Sequence, residues 1–181
     1  MLKNVFILML LVGISSPLMA QEEADPGEFY LKIGAYSPNT SLAFGGGYRY
    51  WLSEDYGFAV DIEFSKYDGG ESLLDPDENL FTYINIPGHI NFIARTAMDA
   101  DMTLVYSAGA TVAYRSATER LIWIPEDEQD KTGFGFGFNG ALGLQYSRFF
   151  VEGRYIYFFA DTLDENTMND YLFSMMAGFR F

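Results

Sequence analysis

The residues able to do chemistry here are a lone histidine, a few closely spaced acids, a run of alternating glycines and a set of dispersed charges. His89 is the only histidine and the chain has no cysteine, so His89 alone has an ordinary pKa suited to proton transfer near neutrality. Period-two alternation puts it on the same face as Asn85, Asn91 and Arg95, which reads as a place in a polar network. Asp75, Asp77 and Asn79 have the opening spacing of a calcium loop, whose oxygen ligands suit Ca²⁺ or Mg²⁺. Leu80 stands where that loop needs glycine and Ile86 where it needs glutamate, which excludes an EF-hand. Loose divalent bridging is the most these weak metal candidates offer. The string GFGFNG, with Gly135, Gly137 and Gly140, has the form of a dinucleotide fingerprint, but it lies inside an alternating aromatic run. No cofactor is expected.

The elements that must position these groups are strands. Alternation predicts eight, at about 28–36, 41–52, 56–65, 80–95, 102–115, 132–146, 149–160 and 171–181. In the third, Tyr56, Phe58, Val60, Ile62 and Phe64 share one face, and Gly57, Ala59, Asp61, Glu63 and Ser65 the other. The sixth sets Phe134, Phe136, Phe138, Leu142 and Leu144 against Gly133, Gly135, Gly137, Asn139 and Gly143. Phased this way, Lys32, Arg49, Asp61, Glu63, His89, Arg95, Glu152, Arg154 and Arg180 all fall on the small, polar face.

A soluble sheet also alternates, so periodicity alone does not choose between a soluble and a lipid-embedded protein. Three features choose lipid. Glycines on the polar face would leave backbone bare to water, whereas inside a narrow barrel they make room for charged side chains. Tyrosines and phenylalanines cluster near strand ends, as interfacial girdles do. Connections alternate in length: 53–55, 96–101 and 147–148 are short, while 66–79, 116–131 and 161–170 are long, with 37–40 the one short member of that set. The fold expected is an all-β, eight-stranded, antiparallel up-and-down transmembrane barrel with both chain ends on the short-turn side, the periplasm.

Within that barrel the charges form a plug of ion pairs. Glu152 and Arg180 lie near the inner ends of adjacent strands with Lys32 on the next, and Arg49 and Asp61 fall within diagonal reach. Breaking one partner of such a buried pair typically costs about 3 to 5 kcal/mol. A filled lumen leaves no nutrient-sized channel, which argues against a general porin and leaves only a narrow ion or small-solute path as a channel alternative. Pro87 interrupts the fourth strand, and a closed barrel has no edge to hide its missing N–H. A bulge near Ile86 and Gly88 would accommodate it and leaves the facing of Phe81, Tyr83 and Asn85 open.

Residues 1–20 read as a signal peptide: Lys3 heads an apolar run from Val5 to Ile14 that leads to Ala20. Residues 21–27 then form a short periplasmic segment and 28–181 the barrel. The formal net charge of −14 becomes one unit more negative once Lys3 is removed, which opposes nucleic-acid binding. An aromatic content of 18% against 20% charged residues is unlike an ordinary soluble acidic protein. The acids concentrate in the long loops, at Asp68, Glu71, Asp75, Asp77 and Glu78 and again at Glu126, Asp127, Glu128 and Asp130. Leu121, Ile122, Trp123 and Ile124 interrupt them with an apolar run suited to packing on the rim.

The final segment, YLFSMMAGFRF, alternates to a terminal aromatic, with Tyr171, Phe173, Phe179 and Phe181 on one face. In this and in its architecture the chain resembles the small eight-stranded outer-membrane barrels of the OmpX and OmpA-membrane-domain type. The resemblance implies a bacterial outer-membrane location after export, outer-membrane lipid and lipopolysaccharide as surroundings, a monomer, and a terminal strand read by the outer-membrane assembly machinery. It leaves no sequence for a peptidoglycan-binding domain. Such barrels include lipid A-modifying enzymes that pair a histidine with a serine near the membrane rim, but no such motif lies near strands seven or eight here, so no active site is transferred. The function expected is non-enzymatic: envelope integrity or surface interaction through acidic loops.

Overall fold

The computed structural model describes residues 27–37, 41–69, 79–121, 129–162 and 170–181. The expected signal peptide, residues 21–26, the metal candidates Asp75 and Asp77, the Asn79 side chain and the apolar loop residues 122–124 lie outside the described residues and side chains.

Eight strands follow in chain order: β1 (Gly27–Ser37), β2 (Ser41–Trp51), β3 (Tyr56–Gly69), β4 (Asn79–Ala97), β5 (Met102–Leu121), β6 (Gln129–Tyr146), β7 (Phe149–Asp161) and β8 (Tyr171–Arg180). Each pairs antiparallel with the next, and β8 returns to β1 through pairs such as Lys32↔Gly178, closing the barrel. Closure gives every strand a neighbour on both sides in the body of the barrel, which is what a β structure surrounded by hydrocarbon requires.

Tight turns occupy the end that carries both termini. Ser147 sits at φ 52° in the two-residue turn between β6 and β7, the left-handed geometry that such hairpins use. Ser53 Oγ accepts from the Asp55 and Tyr56 amides at 3.2 and 3.3 Å and closes the β2–β3 turn.

The alternation resolves into an apolar outside and a packed inside. Leu31, Ile33, Phe58, Val60, Ile90, Phe138, Leu142, Tyr155 and Phe173 are all exposed on the outer surface, while Lys32, Asp61, Glu63, His89 and Arg154 are buried within. Exposed phenylalanine around buried charge is the reverse of a soluble barrel. Gly45 and Gly47 show why small residues line the inside: a Cβ on Gly45 would lie 3.0 Å from Glu63 Cγ, and one on Gly47 would lie 2.5 Å from Asp61 Cβ.

The bulge expected at Pro87 is absent. The β4–β5 register runs unbroken from Asn79↔Leu121 through Pro87↔Ala113 to Ala97↔Thr103. Only the β3–β4 ladder skips, between Ile62↔Gly88 and Ser65↔Asn85, and it resumes in the same register. The strand gives up pairing beside the proline without inserting a residue, so Asn85 stays inward and buried with Pro87 and His89. The bulge lies instead between β6 and β7: Phe136 pairs with Ala160 and Gly137 with Phe158, leaving Phe159 as the extra residue.

Two predicted loops are partly strand. β4, β5 and β6 run to 19, 20 and 18 residues, against 11, 11 and 10 for β1, β2 and β8. Their upper parts continue as a four-stranded sheet with the end of β3, tied by Tyr67 stacked on Tyr83 and by Thr118 Oγ1 donating to Asp130 at 2.7 Å. Both faces of this extension carry polar groups, so the greasy–polar alternation that marks the strands lower down fades there.

Candidate functional site

The concentrated chemistry of the molecule is the charged plane across mid-barrel. Lys32 on β1 donates to Asp61 Oδ1 at 2.7 Å and to Glu63 Oε1 at 2.5 Å, and it lies 3.4 Å from Glu152. Arg154 on β7 binds Asp61 through both terminal nitrogens at 3.0 to 3.3 Å and reaches Glu152 Oε1 at 2.9 Å. Asn91 adds a bond to Asp61 Oδ2 at 3.4 Å, and the Tyr36 hydroxyl donates to Glu63 Oε2. Arg49 completes the set 3.9 Å from Glu152. Lys32, Arg49 and Arg154 thus match Asp61, Glu63 and Glu152 charge for charge, the condition under which buried ions persist.

Several expected partners change. Arg49 does not meet Asp61; its carboxylates are Glu152 and Glu28, the latter at 3.7 Å, and its guanidinium lies over the rings of Tyr30 and Phe150. Arg180 pairs not with Glu152 but with Glu28 at 2.6 Å, with the side-chain amide of Gln145 beside its guanidinium. Arg95 stands apart from the plane, half-buried over the Trp51 ring at the terminal end and donating to the Glu54 carbonyl. Tyr171, Phe173, Phe179 and Phe181 do share the outward face of the last strand and its end.

Sequence reasoning missed Glu28 and Tyr36, although both share the parity of Lys32 on β1 and could have been found by extending it. It also missed the pair between Arg115 and Asp161. Strict period two would turn Asp161 outward, and the Phe159 bulge turns it in. The inward aromatics Tyr30, Tyr36, Phe150 and Phe158 were likewise unforeseen. They fill the lumen alongside the ion pairs.

His89 donates or accepts at Thr111 Oγ1, 2.8 Å from Nδ1, while Nε2 faces Glu63 Oε1 at 3.6 Å. Hydroxyl, imidazole and carboxylate stand in the order that activates a nucleophile. All three are buried, however, and Glu63 is already held by Lys32 and Tyr36. An acyl chain in the bilayer has no approach to them. Asp61, Glu63 and His89 also offer ligand atoms within 4.8 Å of one another. The Lys32 ammonium, bonded to both carboxylates, already takes the place of a cation. At the loop end, above the apolar belt, hydrogen bonds from Lys66 and Thr82 hold the Asp68 carboxyl below the usual aspartate range.

A closed eight-stranded barrel with lipid-suited walls and a filled, charged interior defines the transmembrane β-barrel class. Solved structures share the fold, among them these two. The attachment invasion locus protein Ail of Yersinia pestis, in complex with the heparin analogue sucrose octasulfate, matches with a TM-score of 0.51 at 18% identity, over 86% of this chain and 99% of its own. Neisserial surface protein A matches with a TM-score of 0.52 at 16% identity, over 85% of this chain and 94% of its own. No protein-family model matches the chain, and no curated protein matches it by sequence.

Proposed function

We propose that this chain is a non-enzymatic bacterial outer-membrane protein that presents its extended sheet and acidic loops to a partner at the cell surface. The observation that carries this reading is the asymmetric height of the barrel. β4, β5 and β6 continue past the apolar belt, while β2 pairs with β3 only as far as Ala43↔Ser65 and β7 with β6 only as far as Gly135↔Asp161. Residues 66–69 of β3 and 129–133 of β6 are therefore edges without a described neighbouring strand, and such edges take up extended polypeptide. The exposed apolar exterior supports membrane insertion, and the terminal aromatic face supports delivery by the assembly machinery. The acidity of the loops favours a cationic partner. It opposes a sulfated polyanion such as the one bound in the Ail complex, so that ligand is not carried over.

The lumen supports neither alternative. A lipid A-modifying enzyme would need its base within reach of lipid, and His89 is sealed inside; a channel would need a continuous path, and the charged plane crosses it. Replacing 66–82 and 118–131 by short turns tests the proposal in a lipopolysaccharide-bearing host. The trimmed barrel should still fractionate with the outer membrane but lose surface binding of a basic protein that the full chain retains. Equal binding by both would overturn the reading, as would lipid A whose mass changes when the full chain is expressed.

A further inference from the structure

The lumen is not packed alike above and below the charged plane. Towards the loop end lies an apolar layer of Tyr36, Ala43, Ala113, Ile156, Phe158 and Met176, all buried against one another. Towards the terminal end lies a small cavity of about 10 Å³, lined among others by Arg49, Asn91, Ser107, Ala141, Glu152 and Arg154. Four of these residues carry buried polar atoms without a hydrogen-bond partner among the described residues: Arg49 Nη1, Arg154 Nε, Asn91 Oδ1 and Ser107 Oγ. The six residues of the apolar layer contribute no such atom, but beside them Ser174 Oγ and both amide atoms of Asn85 are also buried without a hydrogen-bond partner among the described residues.

We infer that this cavity is a binding site for one internal water molecule, held by Arg49, Arg154, Asn91 and Ser107. The volume is about that of a single water-sized probe, and buried waters typically make about three hydrogen bonds to groups otherwise unsatisfied. The chemistry of the lining selects the occupant. Two guanidinium N–H groups need an acceptor, the Asn91 oxygen needs a donor, and the Ser107 hydroxyl accepts either role. Only a molecule that both donates and accepts serves all four. A cation is opposed by the two arginines, and an anion leaves Asn91 Oδ1 unsatisfied and faces the Glu152 carboxylate. Water therefore finishes the hydrogen bonding of Arg154, the residue that joins Asp61 to Glu152, and the site belongs to the support of the charged plane.

The test is water-to-protein cross-relaxation by NMR on the full chain folded in detergent micelles, with Ala141→Leu as the variant that fills the cavity. Wild type should show long-lived water contacts at Ser107 and Asn91; Ala141→Leu, with its heat-modifiable gel mobility retained, should lose the contacts at Ser107. Two results would overturn the inference: no water contact at Ser107 and Asn91 in wild type, or chloride-dependent shifts at Arg49 and Arg154 that mark an anion instead. Should Ala141→Leu not fold, Ser107→Ala serves in its place, and persistence of the Asn91 contact at full strength would count against the four-partner site.

Discussion

Lys32 is the residue on which the charged plane turns, because its ammonium lies within 3.4 Å of all three carboxylates, Asp61, Glu63 and Glu152. Lys32→Met removes one positive charge from a set that is otherwise matched, leaving a carboxylate uncompensated in a buried site. Destabilisation by about 3 to 5 kcal/mol is expected, read as a lower urea midpoint for the compact, heat-modifiable form. His89→Gln makes the useful contrast. An amide can keep the bond to Thr111, so a loss of about 1 kcal/mol or less is expected, and lipid A composition should not change. Inactivation of a measurable lipid A activity by His89→Gln would instead restore the enzyme alternative. The reason sequence could list Lys32, Asp61, Glu63 and Arg154 but not pair them is geometric: parity places a side chain on a face, whereas partners across the lumen depend on strand tilt and on how far each chain reaches.

At the scale of elements, β2 and β8 show opposite demands. β2 is thin on its inner face so that β3 can carry Asp61 and Glu63, and Gly47→Val would push a branched side chain into Asp61 and the Tyr30 hydroxyl. Loss of the folded band in refolding assays is the expected result. β8 is followed by Phe181, whose side chain is 68% exposed and packs edge-on with Phe179. Phe181→Ser should therefore refold in micelles nearly as well as wild type yet reach the outer membrane of a living host at a several-fold lower level, measured by fractionation. Comparable losses in both assays would mean that Phe181 serves packing rather than recognition. β4 and β7 show what element-level reading missed. Proline marks a place where pairing is lost, but not whether the strand bulges; nothing in the sequence around Phe159 announces the bulge that turns Asp161 towards Arg115.

For the whole molecule, the decisive property is the medium around it. Phe138 is 63% exposed at mid-strand on the outer wall. In a bilayer Phe138→Arg should destabilise the fold by about 2 to 4 kcal/mol, the depth-dependent penalty for a cation on a lipid face. The same substitution on a water-facing surface would be close to neutral, so equal urea midpoints for the two proteins in lipid vesicles would contradict membrane insertion. Bilayers containing wild type are expected to show no steady conductance, because apolar packing and ion pairs together cross the lumen. Discrete channels from the correctly inserted protein would count against a filled interior.

Strand number, antiparallel order, the facing of most residues and the lipid-suited wall were all determined by the sequence itself, because period-two alternation is a local property that each strand carries in its own residues. The register around Pro87, the Phe159 bulge, the height of β4 to β6, and the identity of each ion pair were decided only by the tertiary structure. These depend on closing the sheet, where every shift in one strand must be absorbed by its neighbours, and on contacts across a lumen that brings together residues from opposite walls. Lys32 and Arg154 meet around Asp61 because the barrel is narrow, and no spacing along the chain states that width.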